Sequence, residues 1–259
     1  MNPQQLRGTR TGVYIGYNQI AMPQGYPQEI QLDSRKSRVE GALWITGTGK
    51  NMYANRVSFS FDLNGPSVVI DTACSSSIVA FENAVQDLRC GSCDYAVVAT
   101  ANLCPAPFSN HIYASIGVLS SDGKCKVFDK RADGFVRSET VGCIFLQRKS
   151  QAKRVYANVI HAKTNTDGAK TIGIFAPFWL RQRNLMMETY QEAGVNPHDV
   201  KFFESHGTGT NVGDPQEAKA IAEAYCSSER QDPLLIGAVK SNCGHSEGSS
   251  GLNSLAKVS

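Results

Sequence analysis

Cys74, His206, Lys240 and His245 are the side chains whose types and positions point to chemistry. Cys74 stands in Asp71-Thr72-Ala73-Cys74-Ser75-Ser76-Ser77, directly after the apolar run Ser67-Val68-Val69-Ile70. That order predicts a thiol at a sharp turn from a buried strand into a helix. A helix N-terminus offers free backbone N–H groups and a partial positive charge, and both favour the thiolate, the reactive form of cysteine. His206 heads Gly207-Thr208-Gly209-Thr210 after the strand-like run Lys201–Ser205, and Lys240-Ser241-Asn242-Cys243-Gly244-His245 follows Leu235–Val239. In open α/β sheets, sites form beyond the carboxyl ends of strands. Taken singly, a buried cysteine, a loop histidine or a surface lysine is ordinary structure. Three strand ends that together deliver a thiol, two imidazoles and an ammonium predict one active site. Gly207, Gly209 and Gly244 let a ligand come close to the backbone there.

The elements that must position these residues are legible in the pattern. Short Val-, Ile- and Phe-rich runs predict strands at Gly12–Gly16, Pro66–Asp71, Tyr95–Thr100 and Gly142–Gln147. A second set is predicted at Val155–Thr164, Val200–Ser205 and Leu234–Val239. Most are apolar throughout, as suits strands buried on both faces. Ile78, Phe81, Val85 and Leu88 mark one face of a helix after Cys74, ended by Gly91. Gln182–Ala193 is a second helix, closed by Gly194. The third starts with Asp214 as N-cap, Pro215 at the first helical position and Glu217 completing a capping box, with Ala218, Ile221, Ala222 and Tyr225 facing inward.

Alternating strands and helices predict an α/β class with a largely parallel sheet. The order of elements runs twice, which predicts an N-terminal half at residues 1–150 carrying the cysteine and a C-terminal half at 151–259 carrying both histidines. The charged stretch Gln147–Arg154 is the turn between them. An early lone strand and a final segment that stops inside an expected helix predict an internal piece of a longer protein, lacking the first strand of one half and the last strands of the other.

Composition bounds the rest. The 259 residues are 41% hydrophobic and 19% charged, enough for a sizeable core. A net charge of +3 gives no reason to expect nucleic-acid binding. No apolar run has membrane-spanning length, and the polar start Met1–Arg7 does not resemble a secretory signal. The eight cysteines come without an Asn-x-Ser/Thr site, which predicts a reducing, cytoplasmic setting. Cys90-Gly91-Ser92-Cys93 closes a helix instead of opening one and has no second pair at zinc spacing, so a structural turn is expected there and no metal site.

Asp-Thr-Ala-Cys-Ser-Ser-Ser, His-Gly-Thr-Gly-Thr and Lys-Ser-Asn-x-Gly-His, in this order, resemble the β-ketoacyl synthase, or condensing enzyme, family. Phe128–Glu139, Thr164–Gly168 and Val212–Glu217 resemble the ketosynthase domain of animal-type fatty acid synthases and related polyketide synthases. The resemblance covers essentially the whole chain. It implies a thiolase-like fold of duplicated α-β-α-β-α five-layer architecture, acting as a homodimer paired through Pro66–Asp71. It also implies an acyltransferase that performs decarboxylative Claisen condensation of an acyl-Cys74 thioester with malonyl-acyl carrier protein. His206 and His245 would donate N–H groups to the enolate oxygen, and Lys240 would add charge and a hydrogen bond. Thr208 and Thr210 would contact the phosphopantetheine arm of the acyl carrier protein; no cofactor is bound directly.

Two features depart from the family pattern. Its glycine-rich Gly-Phe-Gly-Gly loop, which would add a second backbone oxyanion donor, is not in the sequence, so the chain by itself is expected to be inactive. Gly173–Trp179 is bulky where the family has a short Pro-Ser-Gly or Pro-Asn-Gly turn, which predicts an altered pocket wall. The rival readings are a thioester or peptide hydrolase using Cys74 and His206 as nucleophile and base, and a non-catalytic truncated gene product.

Overall fold

The computed structural model describes residues 2–18, 43, 45–105 and 107–259. Strands β1 (Thr11–Gly16), β2 (Ser67–Ile70), β3 (Tyr95–Asn102) and β4 (Thr140–Gln147) form one sheet in the order β2-β1-β3-β4. β1 is parallel to both β2 and β3, and β4 returns antiparallel to β3. Alternate residues feed two cores, which is why these strands read as unbroken apolar runs. Tyr14, Ala96 and Val98 pack with Phe81, Ala84, Val85 and Leu88 of helix α2 (Ser76–Cys90). Val13, on the opposite face, packs with Leu6, Leu63 and Ala54 of helix α1 (Met52–Phe61). The two edge strands among the described residues, β2 and β4, are half-exposed and hold no fully buried residue, where burial on both faces was expected.

Helix α3 (Phe108–Ser115) follows β3, and helix α4 (Trp179–Ala193) ends at Gly194 in the left-handed conformation. Strand β5 (Phe202–Glu204) pairs in parallel with β6 (Leu235–Gly237), and helix α5 (Gly213–Tyr225) lies between them in sequence. The short helix α6 (Lys240–Cys243) and helix α7 (Ser250–Val258) complete the chain. α7 places Leu252 in the core beneath α2.

Two expectations are corrected. Val155–Thr164 forms no strand; side chains hold it instead of a ladder. Arg89 donates to the carbonyl of Ile160, His161 meets Glu192 at 3.0 Å, and the Thr164 hydroxyl donates to Glu82 at 2.6 Å. Asp214 is not an N-cap, because its carboxylate turns away from the helix toward the preceding loop. The inward face of α5 is accordingly Asp214, Glu217, Ala220, Ile221 and Tyr225, with Ala218 and Ala222 outside.

One close approach fixes α2 against the sheet. A Cβ on Gly16 would lie 2.8 Å from the backbone N and Cα of Ser77. Only glycine lets the first turn of α2 seat against the end of β1. We predict that Gly16→Ala costs about 1–3 kcal/mol through overpacking. The expected fall in melting temperature is several degrees; an unchanged melt refutes the contact.

Candidate active site

Cys74 sits in a single turn of 3-10 helix, Ala73–Ser75, between β2 and α2. Ala73 has φ +53, the strained left-handed region, so the backbone turns abruptly at the residue before the thiol. The serines that follow bracket this turn. Ser76 accepts from the N–H of Thr72 at 2.8 Å and donates to the carbonyl of Ala73 at 2.7 Å. Ser75 donates to the carbonyl of Thr72 at 2.8 Å. Ser77 accepts from the N–H of Gly251, and Ser250 donates to the carbonyl of Cys74 at 3.2 Å, so the start of α7 is tied to the nucleophile turn.

His245 reaches the thiol. Its Nε2 lies 3.2 Å from Cys74 Sγ. Its N–H donates to the carbonyl of Val136, and its carbonyl accepts from Ser138, which pins it like a strand residue. The ring of Phe135 packs edge-on at 4.9 Å between centroids. The N–H of Glu247 donates to Nδ1 at 3.2 Å, which makes Nδ1 the acceptor and leaves the ring proton on Nε2. His206 stands beside this ring, 5.4 Å between centroids and nearly perpendicular.

The His206 loop is held by two carboxylates on the first turns of α5. Glu217 accepts from the N–H groups of His206, at 2.6 Å, and Gly207, at 2.8 Å. Asp214 accepts from Gly209, Thr210 and Phe128 at 3.0, 3.3 and 2.8 Å. From the sequence alone both acids read as helix capping. The signal for their actual role was a pair of acids one turn apart, immediately after a glycine-rich loop. The Thr208 and Thr210 hydroxyls are 3.1 Å apart, and Thr210 accepts from Gly213 at 3.2 Å.

Lys240 is buried, with 2% of its surface exposed. Among the described residues its ammonium makes no hydrogen bond, contrary to expectation; it acts through space on Glu217, Cys74 and Glu204. Burial pulls its pKa down, and those acidic groups pull it back up. Arg137, Glu247, Tyr113 and Asn18 form a further, largely buried cluster beside His245 that the sequence alone does not single out.

The electrostatics correct the expected thiolate. Burial pushes the Cys74 thiol up to about 11; Glu247 adds to the push, and Lys240 and the local N–H oppose it. The helix end does not overcome that burial, so the resting thiol is neutral. Burial also holds His245 well below the ordinary imidazole value, helped by His206 and Lys240. His206 is shifted down by the surrounding protein first and by Lys240 second, tempered by the side of its ring open to water. Near neutral pH both rings are therefore neutral N–H donors. This arrangement can acylate a thiol and stabilise an oxyanion next to it.

A cleft of about 280 Å³ lined by Cys104, Asn110, Phe135, Arg137 and Ser138, among others, borders this region, but neither Cys74 nor the two histidines line it. The bulky Ile174 and Phe175 of the departing loop are 84% and 92% exposed, so they pack against no wall among the described residues. Among those residues, no group of three or more His, Cys, Asp or Glu side chains could hold a metal.

The β-ketoacyl synthase N-terminal domain model matches residues 1–152, and the β-ketoacyl synthase C-terminal domain model matches 156–259. A fatty acid synthase of Anser anser anser is 45% identical over 258 residues, covering 100% of this chain and 71% of that protein. The highly reducing polyketide synthase sorA of Penicillium rubens is 46% identical over 258 residues, covering 98% of this chain and 10% of that protein. The oxazolomycin ketosynthase domain OzmH KS7 of Streptomyces albus JA3453 superposes with a TM-score of 0.85 at 37% identity, over 99% of this chain and 43% of that one. The ketosynthase from module 6 of the Bacillus subtilis 168 bacillaene synthase gives the same TM-score at 33% identity, over 99% and 44%. The chain thus spans less than half of these solved chains and has their thiolase-like α/β fold.

Glu217 generates a prediction for this site. Burial raises its pKa, opposed by the backbone N–H groups of Gly207 and His206. Between the unfolded value of about 4.3 and the raised folded value, the native state holds the extra proton. Stability therefore falls as pH rises through that window. We expect denaturant melts between acid and neutral pH to show this slope in the native protein and not in Glu217→Gln. Glu217→Ala leaves two loop N–H groups without an acceptor and should cost about 1–3 kcal/mol for each that stays buried. Equal slopes in native protein and Glu217→Gln would remove the buried proton from the account.

Proposed function

The chain belongs to the β-ketoacyl synthase family, and on that premise we propose that it performs decarboxylative condensation of acyl and malonyl thioesters carried on an acyl carrier protein. Residues 1–150 and 151–259 are read as the two halves of the duplicated domain. The observation that carries the proposal is the contact of His245 Nε2 with Cys74 Sγ, with His206 alongside.

In the first step Cys74 Sγ attacks the thioester carbonyl of an acyl-carrier. The C–S bond to the carrier breaks, and the thiol proton ends on the departing phosphopantetheine sulfur. In the second, the bond between the malonyl methylene and its carboxylate breaks, releasing CO2 and leaving the electron pair as an enolate. N–H groups of His206 and His245 donate to the enolate oxygen, where the negative charge develops. The enolate carbon then attacks the acyl-Cys74 carbonyl. The C–S bond to Cys74 breaks with its electron pair leaving on sulfur, the resulting thiolate takes a proton from solvent to restore the resting thiol, and a β-ketoacyl-carrier two carbons longer departs. The backbone N–H of Cys74 is one donor to the oxyanion of the acyl-transfer steps. Lys240 supplies positive charge through space, and Thr208 and Thr210 line the approach of the phosphopantetheine arm.

A hydrolase that used His245 as its base is disfavoured by the same geometry, because the ring nitrogen facing the thiol carries a proton and donates. The rival pairing of Cys74 with His206 is separated by its product, a free acid. The half-exposed edge strand β2 supports assembly as a homodimer through strand pairing. Among the described residues no helix is long and apolar enough to cross a membrane, in keeping with a cytoplasmic synthase.

Two expected outcomes test this reading in the full-length protein. Cys74→Ala should form no acyl-enzyme yet retain malonyl-carrier decarboxylation, because both histidines remain. A trapped acyl-thioester on that variant contradicts the assignment of the nucleophile. His206→Ala and His245→Ala should each self-acylate at Cys74 while decarboxylation falls about 10²–10³-fold, the size of a lost oxyanion donor. Free acid as the main product of the native protein would mean a hydrolase.

A further inference from the structure

Glu247 is fully buried, and every oxygen of its carboxylate is occupied. Arg137 Nε meets Oε1 at 2.5 Å, and Oε2 accepts from Tyr113 at 2.9 Å and Asn18 at 3.2 Å. Arg137 is itself 95% buried in its side chain, held by Asn110 at 2.8 Å and lying over the Tyr113 ring. A buried ion pair of this kind is weak grounds for stability, since apolar side chains of the same volume serve as well. The Glu247 backbone is also held at φ +46, a conformation that a non-glycine residue adopts only under constraint. Its neighbours add to the clamp. A Cβ on Gly248 would press on Asn18 at 3.0 Å, and Ser249 is bonded to Thr100 at 2.8 Å.

All of this constraint converges on one output: the N–H of Glu247 points at His245 Nδ1. We propose that Glu247, anchored by Arg137, Tyr113 and Asn18, is the positioning residue that fixes His245 as the Nε2–H tautomer facing Cys74. Among the described residues the carboxylate makes its hydrogen bonds to Arg137, Tyr113 and Asn18, not to the thiol or the ring. It acts by holding a strained turn whose amide fills the acceptor lone pair of Nδ1. With the amide withdrawn, the neutral ring can place its proton on either nitrogen. The Nδ1–H form turns a bare lone pair toward the site where the enolate oxygen must find a donor. The proposal rests on the reading of His245 as an N–H donor in condensation.

The test uses the full-length protein with 15N-labelled histidine, the His245 signals being assigned by their loss in His245→Ala. Glu247→Gln keeps the side-chain length and removes the charge. Glu247→Gly accepts the left-handed backbone without strain and removes the anchor. The native protein should show His245 protonated at Nε2 alone. Both variants should show a mixture of tautomers, and malonyl-carrier decarboxylation should fall about 10–100-fold, the range for lost partners of ligand histidines, while Cys74 acylation persists. A single Nε2–H tautomer in folded Glu247→Gly or Glu247→Gln overturns the proposal, whatever the activity. If neither variant folds, Tyr113→Phe removes one hydrogen bond from the same carboxylate. A shifted tautomer ratio in that protein supports the proposal, and an unshifted one overturns it. A native protein that decarboxylates nothing but loses its tautomer preference in Glu247→Gln would retain the positioning role and sink the condensation reading.

Discussion

Buried carboxylates that gather backbone N–H groups or a guanidinium are what the site depends on. Glu217 binds the amides at His206 and Gly207, and Asp214 binds the amides at Gly209, Thr210 and Phe128. Glu247 is locked to Arg137 on the other side of His245. A glycine-rich loop has little side-chain mass of its own to pack, so its shape must be imposed from outside. Acids are suited to that work because charge-assisted hydrogen bonds are short and strong when water is excluded. The arrangement sets carboxylates around both imidazoles, while the charge of Lys240 acts through space on Cys74 and both rings.

Strain marks the same places. Ala73 beside the nucleophile, Phe128 bonded to Asp214, and Glu247 beside His245 all have positive φ without being glycine. Each such residue costs about 1–3 kcal/mol, and it persists only where its surroundings over-determine it. Here those surroundings are visible: the Ser75–Ser77 hydroxyls, the Asp214 carboxylate and the Arg137 cluster. The fold's stability, drawn from the two cores on either side of the sheet, is thus spent in part on a rigid turn at each functional residue.

The parts of this design that are local in sequence were legible before the structure. A strand, a tight turn and a helix around Cys74 follow from an apolar run meeting three serines, and the α2 face follows from its spacing. His206 and His245 were recognisable because glycines follow or precede them at strand ends. What was not legible depends on distant partners. Glu217 reads as a helix cap until the His206 amide is found against it, and Glu247 reads as a loop charge until Arg137, far away in the chain, is placed beside it. Val155–Thr164 has the composition of a strand, yet it pairs with no strand among the described residues, and its side chains find α2 and α4 instead. The sequence also pointed to a thiolate at the helix end, but burial depends on how densely the rest of the chain closes over the sulfur, and local order does not contain that information.

The hydrogen bond from Ser250 to the carbonyl of Cys74 joins residues 176 positions apart. A ribosome adding about 5–20 residues per second needs roughly 10–35 seconds to travel between them. For most of that interval neither histidine has been made, since His206 follows Cys74 by 132 residues and His245 by 171. Until then the thiol has no imidazole beside it, and only the neighbouring serines bracket its turn. It is an ordinary cysteine, in contact with cellular acyl thioesters and oxidants but not equipped to react with the former. The imidazole contact to the thiol and the Ser250 bond to its carbonyl are thus long-range features that form only after most of these residues have been made.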